Sequence, residues 1–158
     1  MTEPMSQPQV ITASREIDAP AATVFELVAD PAQHASWDGN DNVVQLVRGG
    51  RVRATGEIFA MRTTKGNVRD NRVVAFEEGR LIAWRPGDDG GEPAGHEWRW
   101  EVEPLGEGRC RATHTYDWRE LTDERRRARA ESTTERNLSA SLDKLAQRAE
   151  AAGGTPQA

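Results

Sequence analysis

Residues 96–103 read His-Glu-Trp-Arg-Trp-Glu-Val-Glu and decide the fold, because aromatic or apolar side chains stand at the even positions and charged ones at the odd positions. Side chains alternate between the two faces of a strand, so this pattern predicts a strand with one face in water. The next segment repeats the alternation, with one side formed by Cys110, Ala112, His114, Tyr116 and Trp118. We expect two adjacent antiparallel strands that place three tryptophans, one tyrosine and two histidines on one concave side.

Composition sets the outer limits of function. The chain has 158 residues, a formal net charge of −5 and one cysteine. The acidic balance argues against nucleic-acid binding, which needs clustered, unmatched basic residues. No apolar run approaches the roughly 20 residues that cross a bilayer, and a single thiol cannot form an internal disulfide. These features predict a cytoplasmic protein that is not integral to a membrane.

The two ends of the chain differ in composition from the middle. Residues 1–9 are polar and contain two prolines, which predicts a disordered leader. Residues 153–158 begin with two glycines and are predicted to be a disordered tail. We therefore expect a single domain over residues 10–152.

Turn and cap signals divide the domain into an α+β order of elements. A first strand near Val10 is followed by a short helix that Asp18 caps, and by a second short helix over 31–37. About six strands then follow as a meander. The glycine-rich and aspartate-rich segment 85–95 predicts an exposed loop near the mouth of whatever the sheet encloses.

The last element is predicted to be one long helix that Thr122 caps and that ends near Gly153. Its second half carries an apolar stripe at helical spacing, formed by Leu138, Leu142, Leu145 and Ala149. The first half is rich in arginine and is expected to overhang an opening rather than to pack. We interpret these arginines as a solvated face with pairs such as Asp123 with Arg127, and anion binding is the alternative.

Several segments resemble the START-like helix-grip (SRPBCC) superfamily, in its polyketide cyclase/dehydrase and lipid-transport branch. They are Ile-Asp-Ala-Pro-Ala-Ala-Thr-Val-Phe at 17–25, Ala-Asp-Pro at 29–31, Trp-Asp-Gly at 37–39, Val-Val-Ala-Phe-Glu-Glu-Gly-Arg-Leu-Ile-Ala-Trp-Arg at 73–85, and Trp-Arg-Trp-Glu-Val-Glu-Pro at 98–104. The resemblance implies a seven-stranded curved antiparallel sheet wrapped around a long C-terminal helix, with two short helices between strands 1 and 2. It also implies a cavity between sheet and helix, while the same fold hosts carriers, receptors and cyclases.

Aromatic side chains supply the candidate binding site. Indole and phenol rings bury large areas while keeping one polar group, which suits an amphipathic ligand. The candidate ligand-binding residues are Trp37, Phe59, Met61, Trp84, Trp98, Trp100, His114, Tyr116, Trp118 and Leu138. The alternative for each ring is that it simply fills the core.

Four residues are candidates for proton transfer or for stabilising an enolate: His96, His114, Tyr116 and Arg62. The alternative for the two histidines is a hydrogen-bonded polar spot in an apolar wall. The resemblance adds His34 and Asp38, which match a His-x-x-x-Asp-Gly pattern of this branch, although a helix-end network would also explain them. Ligand spacing typical of zinc motifs is missing from the sequence, so we predict neither a metal nor a cofactor.

Together these features favour binding, with or without transport, of a hydrophobic or aromatic small molecule such as a lipid or polyketide between the sheet and the last helix. The alternative is a polyketide aromatase/cyclase or dehydratase that uses the same cavity. A protein-interaction module is disfavoured, because the charged odd positions leave little exposed apolar area. The oligomeric state stays open.

Overall fold

Seven antiparallel strands form one curved sheet in the computed structural model, which describes residues 9–153. The strand order is β1-β7-β6-β5-β4-β3-β2, so the first and last strands of the chain pair with each other. The strands are β1 Val10–Ile17, β2 Val43–Arg48, β3 Ile58–Thr63, β4 Val68–Glu77, β5 Leu81–Asp88, β6 Glu97–Gly106 and β7 Arg109–Asp117. This architecture confirms the predicted α+β helix-grip fold.

Two short helical segments connect β1 to β2, as predicted. Helix α1 spans Ala21–Ala29, and a 3-10 turn at Pro31–Gln33 leads directly into α2 at His34–Trp37. The predicted cap is wrong, because Pro20 takes the N-cap position of α1. The backbone N–H of Asp18 instead donates to Glu150 in the C-terminal helix.

The C-terminal helix α4, Glu135–Gly153, packs against β1, β7 and α1. The predicted stripe of Leu138, Leu142, Leu145 and Ala149 is buried, with at most 1% of each residue exposed. Burying one leucine side chain stabilises the fold by roughly 1.5–3 kcal/mol, so this stripe fixes the helix on the sheet. The predicted leader and tail lie outside the described residues, apart from Gln9 and Gly153.

The predicted single long helix is wrong at its N-terminal half. A 3-10 turn at Glu124–Arg126 and helix α3, Arg127–Ser132, precede α4, and Thr133 between them is extended with ψ 124°. The hydroxyls of Ser132 and Thr133 both donate to the carbonyl of Arg129, which competes with helical hydrogen bonding. The N–H of Thr134 then donates to the Asn137 side chain, which starts a new helix.

The predicted loop over 85–95 is also partly wrong, because β5 continues through Pro86 and Gly87 to Asp88. Gly87 pairs with Pro93 across the loop. A Cβ at Gly87 would lie 2.4 Å from the carbonyl oxygen of Glu92, so only glycine lets the two backbones approach this closely. The glycine that suggested a loop in the sequence therefore serves a tight strand contact.

Candidate functional site

A cavity of about 400 Å³ lies between the concave face of the sheet and the segments that cover it. Strands β2 to β7 supply one wall, and α2, α3, α4, the 3-10 turn before α3 and the loops after α2 and β3 supply the rest. Eight of the ten predicted ligand-binding residues line it: Trp37, Phe59, Met61, Trp84, Trp98, Trp100, His114 and Tyr116. The volume falls within the roughly 300–1,000 Å³ typical of small-molecule sites.

The other two predicted residues are buried outside the cavity wall. Trp118 follows the last residue of β7, so strand alternation no longer sets its direction, and the guanidinium of Arg127 covers its ring at 5.5 Å. Leu138 belongs to the continuous apolar core beneath α4. Both residues therefore support the fold rather than the cavity surface.

Arg62, one of the four candidates for proton transfer, does not line the cavity. Phe59 and Met61 on β3 are buried, and Arg62 at the next position of the strand is exposed. The sequence left this parity ambiguous, because both faces of β3 carry apolar residues. Arg62 lies outside the cavity wall and is removed from the catalytic candidates.

Two close ring pairs, one stacked and one tilted, form the centre of the aromatic wall. Trp100 lies opposite His114 and Trp98 lies opposite Tyr116 in the antiparallel register of β6 and β7. The ring centroids are 3.8 Å apart in the first pair and 4.2 Å in the second. The predicted alternation of the two strands therefore produces a layered aromatic surface facing the cavity.

His114 is the most unusual polar group of this surface. Neither of its ring nitrogens has a hydrogen-bond partner within residues 9–153, and only 5% of the residue is exposed. Burial lowers the pKa of His114 to about 3, so the ring is neutral and carries one donor and one acceptor. The indole nitrogen of Trp100 is likewise buried without a partner in this part of the chain. An unsatisfied buried polar group costs roughly 1–3 kcal/mol, which a ligand with a polar group could offset.

His34 and Asp38 both line the cavity but bond to different partners. The Nε2 of His34 pairs with the carbonyl of Val28 at 2.8 Å, and burial lowers the pKa of His34 to about 4. The carboxylate of Asp38 accepts the backbone N–H groups of Asn40, Asn42 and Val43. These contacts support the interpretation of a helix-end and turn network.

His96 and Tyr116 lie next to each other in the cavity wall, with ring centroids 6.0 Å apart. Burial, then the charges of Arg126, Arg69 and Arg129, lower the pKa of His96 to about 4. Burial raises the pKa of Tyr116 to about 12 against the opposing effect of Arg129 and Arg126. Both side chains are therefore uncharged at neutral pH, and the positive charges of Arg126 and Arg129 act on both of them.

The positive field comes from cationic side chains that we call the basic mouth: Lys65, Arg69, Arg125, Arg126 and Arg129. Three of them come from the arginine-rich segment, which covers the opening as expected from the sequence. The predicted pair of Asp123 with Arg127 is wrong, because Asp123 pairs with Arg125 and Arg126 while Arg127 pairs with Glu131.

Sequence reasoning missed the polar wall residues Arg69, Asn71 and Ser141. Asn71 lies opposite Phe59 in the β3–β4 register and donates to the Phe59 carbonyl at 3.3 Å. The signal available in the sequence was the odd positions of β4, where Arg69 and Asn71 share a face with buried Val73. That alternation would have placed a polar patch on an otherwise apolar wall.

The sequence of residues 8–150 matches the family model for polyketide cyclase / dehydrase and lipid transport. The chain belongs to this family. The uncharacterized protein Rv0088 of Mycobacterium tuberculosis is 33% identical over 120 residues, which are 70% of this chain and 48% of that protein. The chain thus spans about half the length of the curated relatives it matches.

Solved structures share the fold at low sequence identity. The ZhuI aromatase/cyclase from Streptomyces sp. R1128 has a TM-score of 0.65 and 19% identity, covering 92% of this chain and 98% of that chain. Truncated norcoclaurine synthase from Thalictrum flavum has a TM-score of 0.62 and 17% identity, covering 93% of this chain and 97% of that chain. These likenesses show the helix-grip architecture.

Residues 9–153 contain neither a membrane-spanning helix nor a metal-binding cluster. Within residues 9–153, none of the helices combines the length and apolar character that a membrane span requires. The same residues bring together no set of three histidine, cysteine or carboxylate side chains suited to a metal ion. Cys110 is buried, and burial raises the pKa of its thiol to about 11, which makes it a poor nucleophile.

Proposed function

We propose that this protein binds a hydrophobic or aromatic small molecule in the cavity between the sheet and the C-terminal helix. The observation that carries the proposal is the aromatic surface of Trp98, Trp100, His114 and Tyr116 beside a cavity of about 400 Å³. Rings of this kind offer flat apolar area to a bound ring or chain. Family membership agrees with a cavity that takes such a ligand.

The unpartnered polar atoms indicate where a polar group of the ligand would bind. His114 and Trp100 both carry buried nitrogens without partners among the described residues. A ketone or hydroxyl beside them would accept from the indole N–H and exchange hydrogen bonds with the neutral imidazole. The favoured ligand therefore has an apolar or aromatic body with at least one carbonyl or hydroxyl oxygen.

A polyketide aromatase/cyclase or dehydratase is the second candidate, favoured by the placement of His96, His114 and Tyr116 on one wall. General acid–base catalysis is most effective when the pKa of the group lies near the working pH. The pKa values of about 4 and 3 for the histidines, and of about 12 for the tyrosine, lie far from neutrality. Hydrogen bonding to a bound ligand suits these groups better than proton transfer, so binding is the primary proposal.

The test is a fluorescence titration with the neutral probe N-phenyl-1-naphthylamine. We expect saturable, blue-shifted fluorescence that the variant Asn67→Trp weakens, because Asn67 is exposed and lines the cavity opening. The matched control is Thr55→Trp on an exposed loop outside the cavity wall. Absence of saturable binding to the wild type, or equal binding by both variants, would overturn the proposal. Native mass spectrometry of protein purified from its own host would then identify the molecule that co-purifies.

A further inference from the structure

The cavity opening carries an excess of positive charge. Five cationic side chains line it within the described residues, in the basic mouth, and the one carboxylate that lines it is Asp38. Both oxygens of Asp38 already accept backbone N–H groups of the turn that follows α2. The Asp38 carboxylate therefore stabilises this turn, and it forms no salt bridge with the basic mouth within residues 9–153.

Two carboxylates outside the wall are shared among three arginines. Asp88 contacts Arg126 at 2.5 Å and both Arg69 and Arg125 at 3.3 Å. Asp123 contacts Arg125 at 3.0 Å and Arg126 at 3.2 Å. A guanidinium carries five N–H donors, so this sharing leaves hydrogen-bonding capacity free on the side of the cavity.

Arg129 is the one arginine of the basic mouth that lacks a carboxylate partner within residues 9–153. Its Nη2 donates to the amide oxygen of Asn42 at 2.5 Å, and no carboxylate within residues 9–153 forms a salt bridge with it. The neighbouring Arg127, in contrast, pairs with Glu131 and lies over the ring of Trp118. The two arginines of α3 thus differ in role, since Arg127 supports the fold and Arg129 lines the cavity opening.

The charges of the basic mouth act on one another and on the inner wall. Burial lowers the pKa of Arg69, and the nearby charge of Arg126 lowers it further. His96 lies within the same field, is 8% exposed, and its Nδ1 has no partner in the described part of the chain. An anion at this point would relieve the repulsion among the arginines and could accept a hydrogen bond from His96.

We propose that the ligand is an amphipathic anion, whose carboxylate or phosphate group binds among Arg126, Arg129 and His96 while its apolar body lies on the aromatic wall. This inference rests on the proposed function and specifies the class of ligand for the same cavity. Guanidinium groups bind such oxyanions through paired hydrogen bonds, which favours arginine over a simple point charge. The aromatic wall then selects for the body of the ligand, and the basic mouth selects for its charged end.

The test compares two probes with the same ring system. 1-Anilinonaphthalene-8-sulfonate carries an oxyanion, and N-phenyl-1-naphthylamine lacks it. We expect Arg129→Gln and Arg126→Gln each to weaken binding of the sulfonate about five- to tenfold, since a hydrogen bond to a charged group is lost, and to change binding of the neutral probe far less. Arg129→Lys should recover part of the affinity because it keeps the charge. The control Arg111→Gln removes an arginine from the outer face of the sheet, where it pairs with Glu16 and Glu103.

The outcomes separate this inference from the proposed function. If the neutral probe binds and both arginine variants bind the sulfonate as tightly as the control does, the inference is wrong and the binding function stands. If neither probe binds the wild type, the proposed function itself fails. Displacement of the neutral probe by 2-naphthoate, 2-naphthyl phosphate and 2-naphthamide then distinguishes carboxylate from phosphate. Displacement by the amide as effective as that by both anions would overturn the inference.

Discussion

The imidazole of His114 lies nearly parallel to the indole of Trp100, with ring centroids 3.8 Å apart and planes inclined by 15°. His114 lies opposite Ala13 on its other side in the sheet, a residue too small to supply a polar partner. The stack therefore holds a titratable ring in a dry, apolar layer. Burial there favours the neutral imidazole, so the stability of the protein in acid depends on this ring.

The first prediction concerns stability at low pH. The folded pKa values of His34, His96 and His114 are about 4, 4 and 3, below the ordinary value of 6.5. Below pH 6.5 the unfolded chain therefore binds protons that the folded chain does not, and stability falls as the pH decreases towards these folded values. We expect His114→Phe to reduce the loss between pH 7.5 and pH 4.5 by about 2–3 kcal/mol. Urea unfolding at both pH values measures this, and an unchanged pH dependence in His114→Phe would contradict it.

The second prediction separates binding from stability at His114. Because the ring nitrogens have no partner in the described structure, replacing His114 with phenylalanine at pH 7.5 should leave stability equal or raise it by about 1 kcal/mol. The same variant should bind a ketone or hydroxyl compound more weakly while binding N-phenyl-1-naphthylamine normally. Thermal unfolding and probe titration measure the two effects. A large loss of stability at this pH would show that the imidazole serves the fold instead.

Alternation along β6 and β7 made much of the cavity wall predictable from the sequence. Trp98, Trp100, His114 and Tyr116 line the cavity because the direction of a strand side chain follows from its parity alone. The rule stopped at Trp118, where the strand had already ended, and gave no answer for Arg62, where both faces of β3 are apolar. Strand parity is a local property, so it predicts the direction of a side chain only within the strand.

The polar features of the cavity depend on contacts between distant parts of the chain. Asp88 on β5 is the register partner of Arg69 on β4, whereas Arg126 beside α3 reaches the same carboxylate from a distant part of the chain. No spacing in the sequence encodes the contact with Arg126. The break between α3 and α4 was equally difficult to predict from the sequence. The break depends on the hydroxyl groups of Ser132 and Thr133, which donate to the backbone carbonyl of Arg129. The preference for these hydrogen bonds over helical ones is small in energy, so it leaves no strong local signal in the sequence.

The third prediction concerns Asp38, whose carboxylate accepts from the N–H groups of Asn42 at 2.6 Å and Val43 at 2.8 Å. Asp38→Ala should destabilise the protein by about 1–3 kcal/mol, because part-buried N–H groups lose a charged acceptor. Asp38→Asn should lose less, since its amide keeps one acceptor oxygen. Urea unfolding measures both, with Asp41→Asn on the exposed part of the same turn as the control. Wild-type stability in Asp38→Ala would disprove the structural role and return Asp38 to the catalytic candidates.

The last prediction explains why glycine follows Asp38. A Cβ built at Gly39 would lie 2.3 Å from the carbonyl carbon of Ala140 in α4, and the Gly39 N–H donates to the hydroxyl of Ser141 at 3.2 Å. Gly39→Ala should therefore push the turn away from α4 and destabilise the protein by about 1–3 kcal/mol.

The matched control is Gly50→Ala, because a Cβ there meets nothing within 4 Å among the described residues. It should be neutral or stabilise the fold by about 0.4–1 kcal/mol through the reduced entropy of the unfolded chain. Urea unfolding compares the two variants, and equal stabilities would show that the turn can move without cost. Because Asn40 and Ser141 both line the cavity, Gly39→Ala should also weaken binding of N-phenyl-1-naphthylamine, whereas Gly50→Ala should not.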